Sequence, residues 1–188
     1  MDESRVAVDV RAYVSDTVRP KALALADDGA FPNNARLPLL VYRHAFALPA
    51  TGDRAAVIEQ VFHSHGWNFG CWRNNLYSYH HYHSTAHEVL GVYAGHARVQ
   101  FGGPHGVVVE TSLGDVIVVP AGVAHKRLGG SANFAVVGCY PKGQDFDMNY
   151  GDSDERPEVD RNIAAVHLPD TDPVFGEGGP LVSYWRAA

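Results

Sequence analysis

Between Tyr79 and Gly95 the chain reads YHHYHSTAHEVLGVYAG, with His80, His81, His83 and His87 inside eight positions and Glu88 directly after them. On extended backbone, side chains alternate faces, so His81 and His83 share one face while His80 and Tyr82 point to the other. A short turn at Ser84-Thr85 would return Glu88 on the neighbouring strand, facing the two histidines. Two neutral imidazoles and a carboxylate with open positions form the ligand set expected for Fe(II), Mn(II), Ni(II) or Zn(II). A chain carrying such a set must bring strands together around it.

A second segment, Gly114 to His125, completes the set. Its apolar strand, Val116 to Val119, runs into Pro120-Ala121-Gly122 and delivers one further histidine. Pro120 lacks a ladder donor and ends the strand, while Gly122 gives the backbone freedom to reverse. The expected metal ligands are therefore His81, His83, Glu88 and His125.

These residues carry a family resemblance. His81, His83, Glu88 and Gly95 resemble the first cupin motif, G-x5-HxH-x4-E-x6-G, and Gly114, Pro120, Gly122 and His125 resemble the second, G-x5-PxG-x2-H-x3-N. Asn75 replaces the leading glycine and Gly129 the closing asparagine; neither position supplies a ligand. The runs DDGAFPNN, WRNNLYSYHHYHSTAHEVLGVYAG, VIVVPAGVAHK and LPDTDPVFGEGGPL are similar to the YjlB-like group of small single-domain cupins, over most of residues 27–185. The resemblance implies an all-β chain. It would be a single jelly-roll (double-stranded β-helix, RmlC-like) barrel with one flanking helix and a C-terminal tail wrapped around it.

The rest of the chain is read in that frame. A chain of 188 residues that is 46% hydrophobic suits one domain with a proper core. Residues 1–69 would add strands and a helix, about 70–140 the core barrel, and 141–188 the wrap. Val6 to Val14 alternates enough for an edge strand, and Lys21 to Leu25 and Leu39 to Phe46 read as strands. Thr51 to His65 is the one helix expected. Thr51 or Asp53 caps it, Val57, Ile58, Val61 and Phe62 line one face, and Gly66 stops it. Further strands are expected at about 71–83, 88–94, 96–101, 106–110, 115–119 and 133–140, and one more near Ala164 to Leu168. The apolar and aromatic residues of the tail argue against disorder.

Charge and composition exclude several roles. The net charge is −6 and Lys and Arg form no run, which disfavours nucleic-acid binding. No apolar stretch is long enough to span a bilayer, and MDESRVAVDVRAYVSD lacks a signal core, so a cytoplasmic protein is expected. Cys71 and Cys139, the two cysteines, are expected as reduced, buried thiols. The alternating N-terminal segment could pair with a second copy, giving a homodimer.

Around the metal set, Tyr79, Tyr77 and Asn75 would share the inward face of the strand leading to His81. Tyr79, Tyr77 and His87 are the candidate catalytic residues, with aromatic core filling the alternative for the two tyrosines. His80 and His87 should face away from the lumen in hydrogen-bonding roles. Lys126 and Arg127 would meet an anionic substrate or form a solvated pair, and Asp145, Asp147 and Tyr150 could close over the mouth. His44, His63, His65, His96, His105 and His167 are left as surface or packing residues. The function expected is a metal-dependent enzyme of dioxygenase or isomerase type acting on a small polar molecule. The alternative is a non-catalytic ligand-binding or storage cupin with a structural metal. A metal-free epimerase-like cupin would not need the full ligand set.

Overall fold

The run Val116-Ile117-Val118-Val119 has no polar alternation, which suits a strand covered on both faces. The computed structural model, which describes residues 9–188, places all four in the interior. This strand, β7 (Val116–Val119), lies inside a six-stranded antiparallel sheet. Its order is β1 (Lys21–Leu25), β2 (Asn34–Tyr42), β7, β4 (Glu88–Ala94), β9 (Ala135–Tyr140) and β3 (Phe69–Asn74). A smaller sheet, ordered β6 (Val107–Ser112), β5 (His96–Phe101) and β8 (His125–Gly130), faces it.

The pleat sorts the residues of the large sheet into two cores. Leu39, Val41, Leu90, Val92, Ile117, Val119 and Val136 point inward and pack against Ala97, Val99, Phe101 and Val109 of the small sheet. Leu40, Tyr42, Val89, Val116, Val118 and Val137 point outward into a second core, closed by the helix α1 (Arg54–Ser64) and the tail. Glu88 shares the inner face with Leu90 and Val92, whereas His87 and Val89 go to the outer one.

Helix α1 begins where a side chain can cap it: the Asp53 carboxylate accepts from the Ala56 amide at 3.0 Å. Its buried face is Ala55, Ile58, Val61 and Phe62. It crosses β4 at Gly91, where a methyl group would lie 2.6 Å from Ile58 Cγ2 and 3.0 Å from Phe62 Cζ. The absence of a Cβ there sets how closely the helix sits on the sheet.

The tail contains two helices, α2 (Glu158–Ala165) and α3 (Pro180–Arg186). A strand was expected near Ala164 to Leu168; the residues up to Ala165 are helical instead. Glu158 and Asp160 in the first turn favour a helix electrostatically, and Val159 is buried beneath it. Pro180 opens α3, where its missing N–H is harmless, and Leu181, Val182 and Trp185 are buried. The fully buried Asp172 pins this region. Its carboxylate accepts from Tyr42 Oη at 2.6 Å and from the amides of Val174, Phe175 and Leu181 at 2.8, 3.0 and 2.9 Å.

Other expectations need correction. Leu39 to Phe46 is not one strand: β2 ends at Tyr42, and His44 adopts a φ of 50° in the turn that follows. The strand expected over 71–83 stops at Asn74, and beyond it only single bridges at His81 and Tyr82 continue the pairing. Strand β8 was not anticipated, because HKRLGG has no clear alternation. Part of the Val6 to Val14 segment lies outside the described residues; Val10–Tyr13 forms a short 3-10 helix and Val14 bridges Phe46. Cys71 and Cys139 are not reduced thiols. They face each other across β3 and β9 and are joined by a disulfide.

The close seat of α1 on β4 predicts that Gly91→Ala, although a small change, destabilises the fold by roughly 1–3 kcal/mol through overpacking. Chemical denaturation would read this as a lower midpoint with an unchanged slope.

Candidate metal centre

Main-chain hydrogen bonds join the two motif segments directly. His81 N donates to His125 O at 3.2 Å, His125 N to His81 O at 2.9 Å, and Gly122 N to His83 O at 2.7 Å. The turn that carries His125 is clamped from the FPNN segment. Asn34 Nδ2 donates to Ala121 O at 3.0 Å, and Asn33 Oδ1 accepts from Ala124 N at 3.2 Å. Gly122 itself has a φ of 91°, and a Cβ there would lie 2.3 Å from Asn33 O, so glycine is required on both counts.

This scaffold brings His81, His83 and His125 together with their candidate donor atoms within 4.8 Å of one another, all three residues buried. Glu88 is also buried, and its Oε2 lies 3.3 Å from His125 Nε2 and 3.5 Å from His83 Nε2. Each ring has a main-chain carbonyl within hydrogen-bonding reach of Nδ1: Tyr79 O at 3.3 Å for His81, Asp147 O at 2.5 Å for His83 and Val123 O at 3.2 Å for His125. Protons placed on Nδ1 by these contacts leave each Nε2 with a lone pair. Glu88 Oε2 is buried and accepts no hydrogen bond among the described residues, while Oε1 accepts from Tyr140 Oη at 2.8 Å. Three outward lone pairs beside an unpartnered carboxylate oxygen fit a divalent cation.

The electrostatics are consistent with such a cation. Burial pushes His81 down to about 3, so it stays neutral. Burial would raise Glu88, but the His83 and His125 rings override it and hold the carboxyl well below the usual carboxylate range. Burial opposes protonation of His83, yet the Glu88 carboxylate raises it overall. A proton on His83 and a metal ion are thus alternatives for the same position. Burial and the Glu88 charge raise Tyr140, which keeps its proton as a donor.

The cupin family signature matches residues 76–142. YjlB of Bacillus subtilis (strain 168) is 42% identical over 159 residues, 85% of this chain and 92% of that protein. The chain belongs to the cupin family. Among solved structures it is similar to acireductone dioxygenase from Bacillus anthracis, which holds a cadmium ion in its active centre. That match has 22% identity and a TM-score of 0.39, over 51% of this cupin and 66% of that chain. It is also similar to the coconut allergen cocosin, at 22% identity and a TM-score of 0.37. There the match covers 43% of this cupin and 23% of that chain.

The centre opens into a cavity of about 430 Å³. Tyr77 and Tyr79 line it, their rings stacked at 4.9 Å, and Tyr77 packs edge-on against His81 at 5.2 Å. Asn75 lines it too, with Oδ1 buried and unpartnered. A continuous strand does not create this face; residues 75–80 form a loop. Phe146, Met148 and Tyr150 of the tail line it as well, the Tyr150 ring 6.1 Å from that of Tyr79. Asp147 closes the site from outside the cavity: its carboxylate accepts from the Ser84 amide at 2.6 Å and from the Ser84 hydroxyl.

The other candidates fall elsewhere. His87 does not reach the cavity: it packs on Trp185 at 4.7 Å, and its Nδ1 accepts from Ala121 N at 2.9 Å. His80 also faces away, against Phe31 at 5.4 Å. Lys126 and Arg127 are half-buried on β8 and do not line the cavity. Sequence reasoning missed Tyr140 and Trp72. Tyr140 ends β9, and Trp72 lies so close over Gly138 that a Cβ there would meet its indole at 2.2 Å. Neither carries a motif: the β4–β9 pairing sets Tyr140 beside Glu88, and the β3–β9 pairing brings in Trp72.

His87 also predicts a pH response. Burial lowers its pKa from 6.5 to about 3. The unfolded chain therefore takes up this proton well before the folded one. Stability from the neutral ring is intact above pH 6.5 and is lost as pH falls towards 3, at about 1.4 kcal/mol per unit. Urea denaturation across this range should show the loss, and His87→Asn, which keeps an acceptor for Ala121 N, should make it shallower, leaving the share that His81 contributes over the same range.

Proposed function

We propose that this cupin is a metal-dependent enzyme of dioxygenase or isomerase type. Its substrate would be a small molecule pairing adjacent oxygen atoms with a flat apolar part. The observation that carries this reading is the convergence of His81, His83, His125 and Glu88, with Glu88 Oε2 buried and unpartnered, at the floor of an aromatic cavity. A divalent ion held by these four residues would supply Lewis-acid polarisation and, if it were iron, oxygen activation.

The remaining residues would orient the substrate and keep it dry. Tyr140 fixes the Glu88 carboxylate by holding Oε1, which leaves Oε2 to the centre. Phe146 stacks on Tyr140 at 4.5 Å and screens that side from water. Tyr77, Tyr79 and Tyr150 are exposed at the mouth and offer both flat faces and phenol hydroxyls. Asn75 Oδ1 is an acceptor in need of a donor. Arg73 is the sole cation among the described lining residues. Its guanidinium is taken by Glu59, through two contacts of 2.6 Å, and by Asp53 at 2.9 Å. An anionic substrate would thus find no free positive side chain in the wall, which favours a neutral body chelating through oxygen.

Protein reconstituted with Fe(II) or Mn(II) should turn over a member of a panel of flat α-hydroxyketones, enediols and catechols. Oxygen uptake and product analysis would detect it, and turnover should vanish on chelation. Tight binding of panel members to fully loaded protein, with no product formed, would contradict the enzyme reading and favour a ligand-binding cupin.

A further inference from the structure

The metal-centre reading makes no use of Cys71, Cys139 or His63. The cysteines lie opposite each other on β3 and β9, 4.2 Å apart at Cα. Their surroundings differ sharply. Cys139 is fully buried in the outer core with Val89 and Val137. Cys71 is half-buried on β3, which among the described residues is the edge strand of the large sheet, with a neighbour on one side only. Its sulfur lies 3.3 Å from Nε2 of His63, an exposed residue in the last turn of α1. The imidazole and both sulfurs lie within 4.8 Å of one another.

A partly exposed cysteine with a proton acceptor beside it, backed by a fully buried one, is an arrangement suited to thiol–disulfide exchange. The thiolate is the reactive form, and a neighbouring imidazole both accepts its proton and stabilises its charge. A cystine serving only to staple two strands has no use for such a base. We propose that Cys71, Cys139 and His63 form a redox-active exchange site for low-molecular-weight disulfides and thiols.

In the dithiol form, His63 takes the proton of Cys71. The Cys71 thiolate attacks one sulfur of an external disulfide, R–S–S–R. That S–S bond breaks, the departing R–S⁻ takes the proton from His63, and a mixed disulfide remains on Cys71. Cys139 then gives up its proton and attacks the Cys71 sulfur. The Cys71–Cys139 bond forms and the second R–S⁻ leaves with that proton as R–SH. Two protein thiols lose two electrons and two protons, and the external disulfide gains them as two thiols. Excess thiol runs the same steps in reverse. The edge position of β3 lets Cys71 carry the mixed disulfide without parting an interior strand pair.

The test uses the full chain, reduced and then mixed with oxidised glutathione, with products followed by mass spectrometry. Wild-type protein should release two glutathione thiols per chain and finish with an internal disulfide and no adduct. Cys139→Ala should stop at one glutathione on Cys71. Adding His63→Gln should slow adduct formation on the order of tenfold with the melting temperature unchanged. Because Cys139→Ala alters the core, the single variant His63→Gln in the wild-type background gives a second reading of the same rate. Equal rates with and without His63 would overturn the proposal. So would a wild-type mixed disulfide that never resolves, or a native cystine that glutathione cannot reduce.

Discussion

The site depends on main-chain bonds between two segments far apart in sequence. The exchange between His81 and His125, and the bond from Gly122 to His83, set the backbone positions of the three histidines. This matters because the cluster is costly by its own chemistry. Burying a carboxylate and three imidazoles removes them from water, and only close compensation offsets that loss. The backbone bridge, the Asn33 and Asn34 clamps, the carbonyls beside each Nδ1 and the Tyr140 hydroxyl on Glu88 Oε1 supply that compensation.

The layers on either side make that rigidity possible. The inner face of the large sheet packs on the small sheet, and its outer face packs on α1 and the tail. β4 serves both: Glu88 turns inward to the centre and His87 outward to Trp185. The tail therefore has two tasks. Asp172 and Trp185 lock it to the outer core, while Phe146 and Tyr150 line the cavity and Asp147 holds Ser84 beside it.

Much of this was legible in the sequence because it rests on local rules. The spacing of His81, His83 and Glu88 and the strand-turn-histidine pattern ending at His125 are short-range, and so is the apolar face of α1. The barrel strands from β4 to β7 follow from short apolar runs at regular spacing between glycine-marked turns. What escaped depends on which distant strands pair. Tyr140 reaches Glu88, and Cys71 reaches Cys139, because β9 lies between β4 and β3, an order no local pattern encodes. The tail helices were missed for a different reason. They are short, eight and seven residues, too few turns for a period to stand out, and burial of Val159 and of Leu181, Val182 and Trp185 holds them in place. His81 and His83 reach the centre although their segment is largely a loop, since the backbone bridges to the second motif replace the strand that alternation implied.

The measurement that bears most directly on the account is metal stoichiometry by elemental analysis after equilibrium dialysis against Fe(II), Mn(II) or Zn(II). Wild-type protein should hold one ion per chain. His83→Ala, His125→Ala and Glu88→Gln should each lose most of it while keeping the β-rich circular dichroism spectrum. Full stoichiometric metal in all three variants, or none in the wild type, would contradict the proposal that this cluster is a metal centre.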